Sequence, residues 1–161
     1  MKFISDHFRR SDVLLLIVAG ASVLFYVATA NGGFALDDSW IHQVYGRNLA
    51  QTGQWAFVAG VPSAASTSPL FTVLLSIGYR LGVSYKLWTH GLGMLALWIT
   101  GMVGSRMAER LLPGQKYIGL VAGLGLILAW HLLWAAASGM ETMLFSMWTL
   151  VLIHLGWHKA D

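Results

Sequence analysis

The sequence changes from an apolar run to a polar segment at ANGGFALDDSWIHQ (residues 30–43). Asp37 and Asp38 stand side by side in this stretch, although the 161-residue chain contains only seven Asp and Glu residues. The apolar run that precedes them, residues 13–30, contains no charged residue and is long enough to cross a bilayer. Two scarce carboxylates directly after such a run indicate a site at the end of a membrane span.

The composition predicts an integral membrane protein. Hydrophobic residues make up 57% of the chain and charged residues 11%, whereas a soluble domain carries about 25% charged residues. The absence of cysteine excludes disulfides and thiolate metal sites. The net charge of +3 is interpreted as a topology signal rather than a nucleic-acid surface. The first apolar run exceeds the core of a cleavable signal, about 7–15 residues, and predicts an uncleaved signal anchor.

Apolar length separates spanning from interfacial segments. Five apolar segments occur, at residues 13–30, 69–81, 87–107, 117–137 and 140–157. Crossing the hydrocarbon takes about 20 helical residues. The segment 69–81 is shorter than this and ends among Arg80, Gly82 and Lys86, which favours a helix lying in the interface.

The distribution of basic residues supports the same choice. If all five segments crossed, the ten Lys and Arg would divide evenly between the two sides. With four spans, seven fall on the cytoplasmic side: Lys2, Arg9, Arg10, Arg106, Arg110, Lys116 and Lys159. Arg47, Arg80 and Lys86 remain outside, as the positive-inside rule requires.

The predicted fold is an all-α integral membrane module over residues 1–161. It has four transmembrane helices, at about 13–30, 87–107, 117–137 and 140–157, and both termini are cytoplasmic. The outer loop, residues 31–86, is predicted to contain interfacial helices at about 38–52 and 69–81. In the first of these, apolar residues from Trp40 to Leu49 recur at helical spacing, and Asp37 or Asp38 is a candidate N-cap. This topology places Asp37, Asp38 and Glu141 on the same outer face.

Four segments in order resemble a known family. They are DDSW (37–40), YGRNLAQTGQWAF (45–57), STSPLFTVLLSIGYRLGV (66–83) and SGMET (138–142). The chain resembles the N-terminal part of the GT-C superfamily of polytopic membrane glycosyltransferases, and within it the bacterial and archaeal members that use polyprenyl-phosphate sugars. The resemblance implies that Asp37, Asp38 and Glu141 belong to one active site. It also implies a multi-pass protein of a prokaryotic plasma membrane.

Each group then has an expected role in sugar transfer. Asp37 and Asp38 are the candidate catalytic residues, one acting as the base for the acceptor hydroxyl. Asp37, Asp38 and Glu141 are also candidate ligands of a divalent cation, Mg²⁺, Mn²⁺ or Ca²⁺, because these ions prefer oxygen ligands. The outer cations Arg47, Arg80 and Lys86 are the candidates for binding the lipid phosphate.

Less specific interpretations exist for the same residues. Either aspartate alone suits a helix N-cap, Glu141 suits a helix start, and the outer cations suit interface anchors. Since enzymes of this superfamily are several times longer, the chain is expected to be incomplete or inactive alone.

The expected partners are a polyprenyl-phosphate-linked sugar, membrane lipids, and the rest of the enzyme or another membrane subunit; no nucleic acid is expected. An alternative function is a non-catalytic membrane subunit of GT-C ancestry that assembles with a larger polytopic protein.

Overall fold

The computed structural model describes residues 9–30 and 32–160, with side chains through Trp157. Lys2, part of the predicted cytoplasmic N-terminus, lies outside these residues. The described chain is mostly helical, as predicted. The helices are α1 (Arg10–Thr29), α2 (Asp37–Thr52), α3 (Pro69–Arg80), α4 (Tyr85–Leu111), α5 (Ile118–Leu128), α6 (Trp130–Ala137) and α7 (Thr142–Ala160). Strands β1 (Ala56–Val58) and β2 (Val61–Pro62) form one antiparallel hairpin between α2 and α3.

Helices α1, α4, α5, α6 and α7 form a bundle. Its core consists mainly of aliphatic side chains, among them Leu15, Ala19, Val23, Ala96, Leu97, Ile127 and Met143. Asp12, near the start of α1, contacts Arg106, near the end of α4. Helices α1 and α4 are therefore antiparallel, and the start of α4 lies at the end of the bundle where α1 stops.

Small residues allow the bundle helices to approach closely. A Cβ added to Gly93 on α4 would overlap the carbonyl oxygen of Ala136 on α6. A Cβ on Gly123 of α5 would lie 2.9 Å from the carbonyl oxygen of Gly101 on α4. Glycine at these positions lets backbone pack against backbone, a feature common where helices associate in membranes.

Helix length and hydropathy identify α1 as a membrane-span candidate within the described residues. The pair α5 and α6 meets the same criterion together, but its axis bends by 55° at Ala129. Residues 117–137, predicted as one span, therefore form two helices. Helix α7 is apolar over Thr142–Trp157, the part whose side chains the structure describes, and α4 is long but less apolar.

Helices α2 and α3 and the hairpin cover the end of the bundle where α1 stops. Helix α2 packs chiefly against α3, and its buried side combines Tyr45 with the polar residues Ser39, His42, Gln43 and Asn48, whereas Trp40 is 41% exposed. Hydrogen bonds satisfy the buried polar groups, since Gln43 donates to Thr89 and accepts from Tyr79, and Asn48 donates to Ala56 O.

Candidate functional site

Asp37 and Asp38 occupy the first turn of α2 and are exposed. The N-cap position belongs to Leu36, and no side chain caps the helix. The expectation that Asp37 or Asp38 is the N-cap is therefore wrong. Both carboxylates still benefit from the positive end of the helix dipole, but neither one is committed to a capping hydrogen bond.

The turn between α6 and α7 brings Glu141 to the start of α2. Ser39 Oγ donates a hydrogen bond of 2.7 Å to the carbonyl oxygen of Ser138, and both side chains are buried. Gly139 follows with a φ of 80°, a conformation that side chains other than glycine rarely adopt. Phe34 also fills the space where a Cβ would stand. This anchored turn fixes the position of the residues that follow it.

His42 lies between Asp38 and Glu141. Its Nε2 atom is 3.6 Å from Glu141 Oε2, and the imidazole is 1% exposed. Burial lowers the pKa of His42, while the charges of Glu141 and Asp38 act in the opposite direction and partly offset the effect. Asp38 and Glu141 therefore lie close enough to act on the same imidazole. Asp37, about 100° around the helix from Asp38, makes no hydrogen bond or ion pair within the described chain.

Two hydroxyl groups lie on the Nδ1 side of the His42 imidazole. Its Nδ1 atom is 3.0 Å from Ser66 Oγ, and Ser66 Oγ is 2.8 Å from Thr72 Oγ1. Phe71 packs edge-on against the imidazole, with the ring centroids 5.9 Å apart. The sequence did not predict this group. The spacing of four between Asp38 and His42 on one helix was a usable signal, but Ser66 lies in an uncharged linker without any local pattern.

Glu141 also forms part of an apolar groove between α3 and α7. The groove has a volume of about 250 Å³. Its lining residues are Ser68, Pro69, Leu70, Phe71, Leu74, Glu141, Leu144, Phe145 and Trp148. Glu141 is the single charged group among them, so the groove is apolar along its length and acidic at one point.

The predicted phosphate-binding cations are exposed around this end of the molecule. Arg47 lies on α2, Arg80 ends α3 and Lys86 lies in the first turn of α4. Within the described residues, none of the three places a nitrogen within 4.0 Å of Asp37, Asp38 or Glu141. Arg47 instead acts on Tyr79, where its charge offsets part of the rise in the tyrosine pKa caused by burial. The structure therefore does not join these cations to the carboxylates.

The predicted divalent-cation site lacks a complete set of protein ligands. In the part of the chain that the structure describes, no group of three His, Cys, Asp or Glu side chains is arranged to hold a metal ion. Asp37, Asp38 and Glu141 thus do not form such a group by themselves in this conformation. The cation stays a prediction.

The other acidic residues of the described chain are ion-paired at the opposite end of the bundle. Asp12 accepts from Arg106 at 2.7 Å, and the same carboxylate oxygen accepts from the backbone N–H of Arg9 at 2.9 Å. Glu109 accepts from the Arg9 side chain at 2.7 Å. Asp37, Asp38 and Glu141 are therefore the described carboxylates that have no arginine or lysine partner.

Comparisons with protein-family models, with curated proteins and with solved structures find no match to this chain.

Proposed function

We propose that this chain is the membrane module of a glycosyltransferase that takes a sugar from a polyprenyl-phosphate donor at the outer face of a membrane. The observation that carries the proposal is the position of Glu141. This carboxylate lines an apolar groove and, through His42, belongs to the same cluster as Asp38. A lipid-linked sugar needs these two environments side by side.

The groove suits the lipid part of such a donor. Leu74 on α3 and Leu144, Phe145 and Trp148 on α7 offer aliphatic and aromatic contacts without competing hydrogen bonds. Burying an isoprenoid chain there gains about 0.8 kcal/mol for each methylene removed from water, and correspondingly less for a chain that arrives from a bilayer. The groove would therefore serve to orient the donor, with its sugar-phosphate group held near Glu141.

The carboxylates suit the transfer step. The acceptor hydroxyl attacks the anomeric carbon, the bond between this carbon and the phosphate oxygen breaks, and the electron pair leaves with the polyprenyl phosphate. The hydroxyl proton passes to a carboxylate, for which Asp38 or Asp37 is our candidate because both are exposed and neither is ion-paired within the described chain. No step is assigned to a metal ion.

The outer surface of the bundle supports a membrane location. Large apolar side chains point away from the protein on several helices, including Phe25 at 73% exposure and Phe145 at 71%. Exposed apolar surface on this scale marks contact with lipid or with another protein. In the proposal α1, α4, α5–α6 and α7 cross the bilayer, and α2 and α3 lie at its outer interface.

Transfer of label from a radioactive polyprenyl-phosphate sugar tests this proposal. The full chain is placed in lipid vesicles with a membrane extract that supplies acceptors, and the label leaving the lipid is followed over time. We expect Asp38→Asn to lower the transfer rate about 100-fold, a typical loss when a proton-transfer group is removed. Glu141→Gln should lower the rate by a smaller factor, because Glu141 lies beside the donor and takes no proton in this step. Glu109→Gln, which changes a carboxylate at the opposite end, is the matched control and should transfer like the unchanged chain.

Two results count against the proposal. In one, both variants transfer the label at the rate of the unchanged chain. In the other, the unchanged chain neither binds the donor nor transfers its sugar.

A further inference from the structure

The buried imidazole of His42 forms a chain of polar contacts in which, for a neutral ring facing a carboxylate, only one arrangement of protons satisfies every member. Its atoms are Thr72 Oγ1, Ser66 Oγ, His42 Nδ1, His42 Nε2 and Glu141 Oε2, in this order. Ser66, Thr72 and His42 are all buried, so water does not substitute freely for a missing partner. Each of these side chains must therefore find its partner within the chain of contacts.

Two arrangements of the protons are possible, because a neutral imidazole carries one proton, on either Nδ1 or Nε2. If Nδ1 carries it, His42 donates to Ser66 and Ser66 donates to Thr72. The lone pair of Nε2 then faces the carboxylate of Glu141, so two acceptors oppose each other across 3.6 Å. Both atoms are buried, and neither has a hydrogen bond elsewhere.

The second arrangement removes this conflict. Thr72 donates to Ser66, and Ser66 donates to Nδ1 of His42, which is then an acceptor. The proton must sit on Nε2, where it points toward Glu141 Oε2. Both hydroxyls, both ring nitrogens and the carboxylate oxygen then have complementary neighbours, and closing the 3.6 Å separation requires only a small side-chain adjustment.

We propose that His42 is a positioning residue that holds Glu141 at the end of the groove. Ser66 and Thr72 fix its imidazole as the tautomer that carries the proton on Nε2, and this proton faces the Glu141 carboxylate. The role of Glu141 at that point rests on the proposed function, whereas the position of the proton does not. The imidazole touches neither donor nor acceptor. It limits the rotation of the glutamate and gives its carboxylate a donor inside an otherwise apolar surrounding.

Nitrogen NMR of the full chain in lipid nanodiscs measures the tautomer directly. The chain is labelled with ¹⁵N-histidine, and the His42 signals are assigned by their loss in His42→Gln. At a pH above the ordinary histidine pKa we expect a protonated Nε2 and an unprotonated Nδ1. Ser66→Ala should shift His42 toward a mixture of tautomers, while Thr149→Ala, which removes an exposed hydroxyl on α7, should leave its signals unchanged. A protonated Nδ1 in the unchanged chain would overturn the inference.

Rescue by a conservative variant supplies a second readout. The amide nitrogen of glutamine occupies the position of Nε2, and that of asparagine the position of Nδ1. In the transfer assay described above, we therefore expect His42→Asn to lose activity about tenfold and His42→Gln to keep most of it. Equal losses in the two variants would contradict a role for the Nε2 proton. If the unchanged chain neither binds the donor nor transfers its sugar, the proposed function fails while the NMR result still decides the tautomer.

Discussion

At the end of the bundle where α1 begins, Asp12 and Glu109 each accept a hydrogen bond from an arginine at 2.7 Å. At the end where α1 stops, Asp37, Asp38 and Glu141 have no arginine or lysine within 4.0 Å in the described chain. The first end neutralises its acids and uses them to hold helices together. The second end keeps its acids free beside a buried histidine and an apolar groove. Carboxylates without a structural partner are those available for binding or chemistry.

The largest expected difference between the two ends concerns stability. Arg106→Met would leave Asp12, which is 1% exposed, without its charged partner, and we expect a loss of about 3–5 kcal/mol in the free energy of unfolding. Glu109→Gln, in an exposed pair, should cost at most about 1 kcal/mol. Asp38→Asn should change stability by about 0.5 kcal/mol or less, since no hydrogen bond depends on it. Unfolding in mixed micelles measures the free energy of unfolding of all three variants. Equal losses at the two ends would contradict the difference proposed between them.

The groove should show an intermediate effect. Leu144→Trp adds bulk where the lipid of the proposed donor would lie. If the indole displaces about two methylenes, each contributes less than the roughly 0.8 kcal/mol of transfer from water, because the chain returns to lipid. The affinity for a fluorescent polyprenyl phosphate should therefore fall severalfold but by less than about tenfold. Leu152→Trp is the control, because this residue lies on the same helix and does not line the groove. Equal affinities of the two variants would show that the groove does not bind the lipid of the donor.

The smallest expected effect is on the titration of His42. The charge of Glu141 opposes the lowering of the His42 pKa by burial, so Glu141→Gln should lower this pKa further, and Asp38→Asn should lower it by a smaller amount. Because the folded protein disfavours the imidazolium, stability should fall as the pH drops below the ordinary value of 6.5. NMR titration checks the shifts. An unchanged pKa in Glu141→Gln would show that the two groups do not interact.

The sequence predicted the two helices of the outer loop closely, but not the β1–β2 hairpin between them. The predicted helices 38–52 and 69–81 correspond to Asp37–Thr52 and Pro69–Arg80. Local signals were sufficient here, because Gly53 ends α2 with a φ of 71° and Pro69 occupies the first turn of α3.

Structural features that depend on contacts with residues far away in the sequence were not predicted. Gln43 of α2 is buried because its partners Thr89 and Tyr79 come from α4 and α3, and the spacing of apolar residues along α2 carries no information about them. The bend at Ala129 occurs at a residue that normally favours helix. Ser66 contacts His42 only because the folded segment 53–68 brings its hydroxyl next to the imidazole.

Side-specific labelling tests the central claim, that the unpaired carboxylates meet on one side of the membrane. The chain has no cysteine, so Asp37→Cys, Thr142→Cys and Gln115→Cys each create a single thiol at an exposed position. With a membrane-impermeant maleimide added to oriented vesicles, we predict that positions 37 and 142 react from the same side and position 115 from the other. Reaction of positions 37 and 142 from opposite sides would contradict the account.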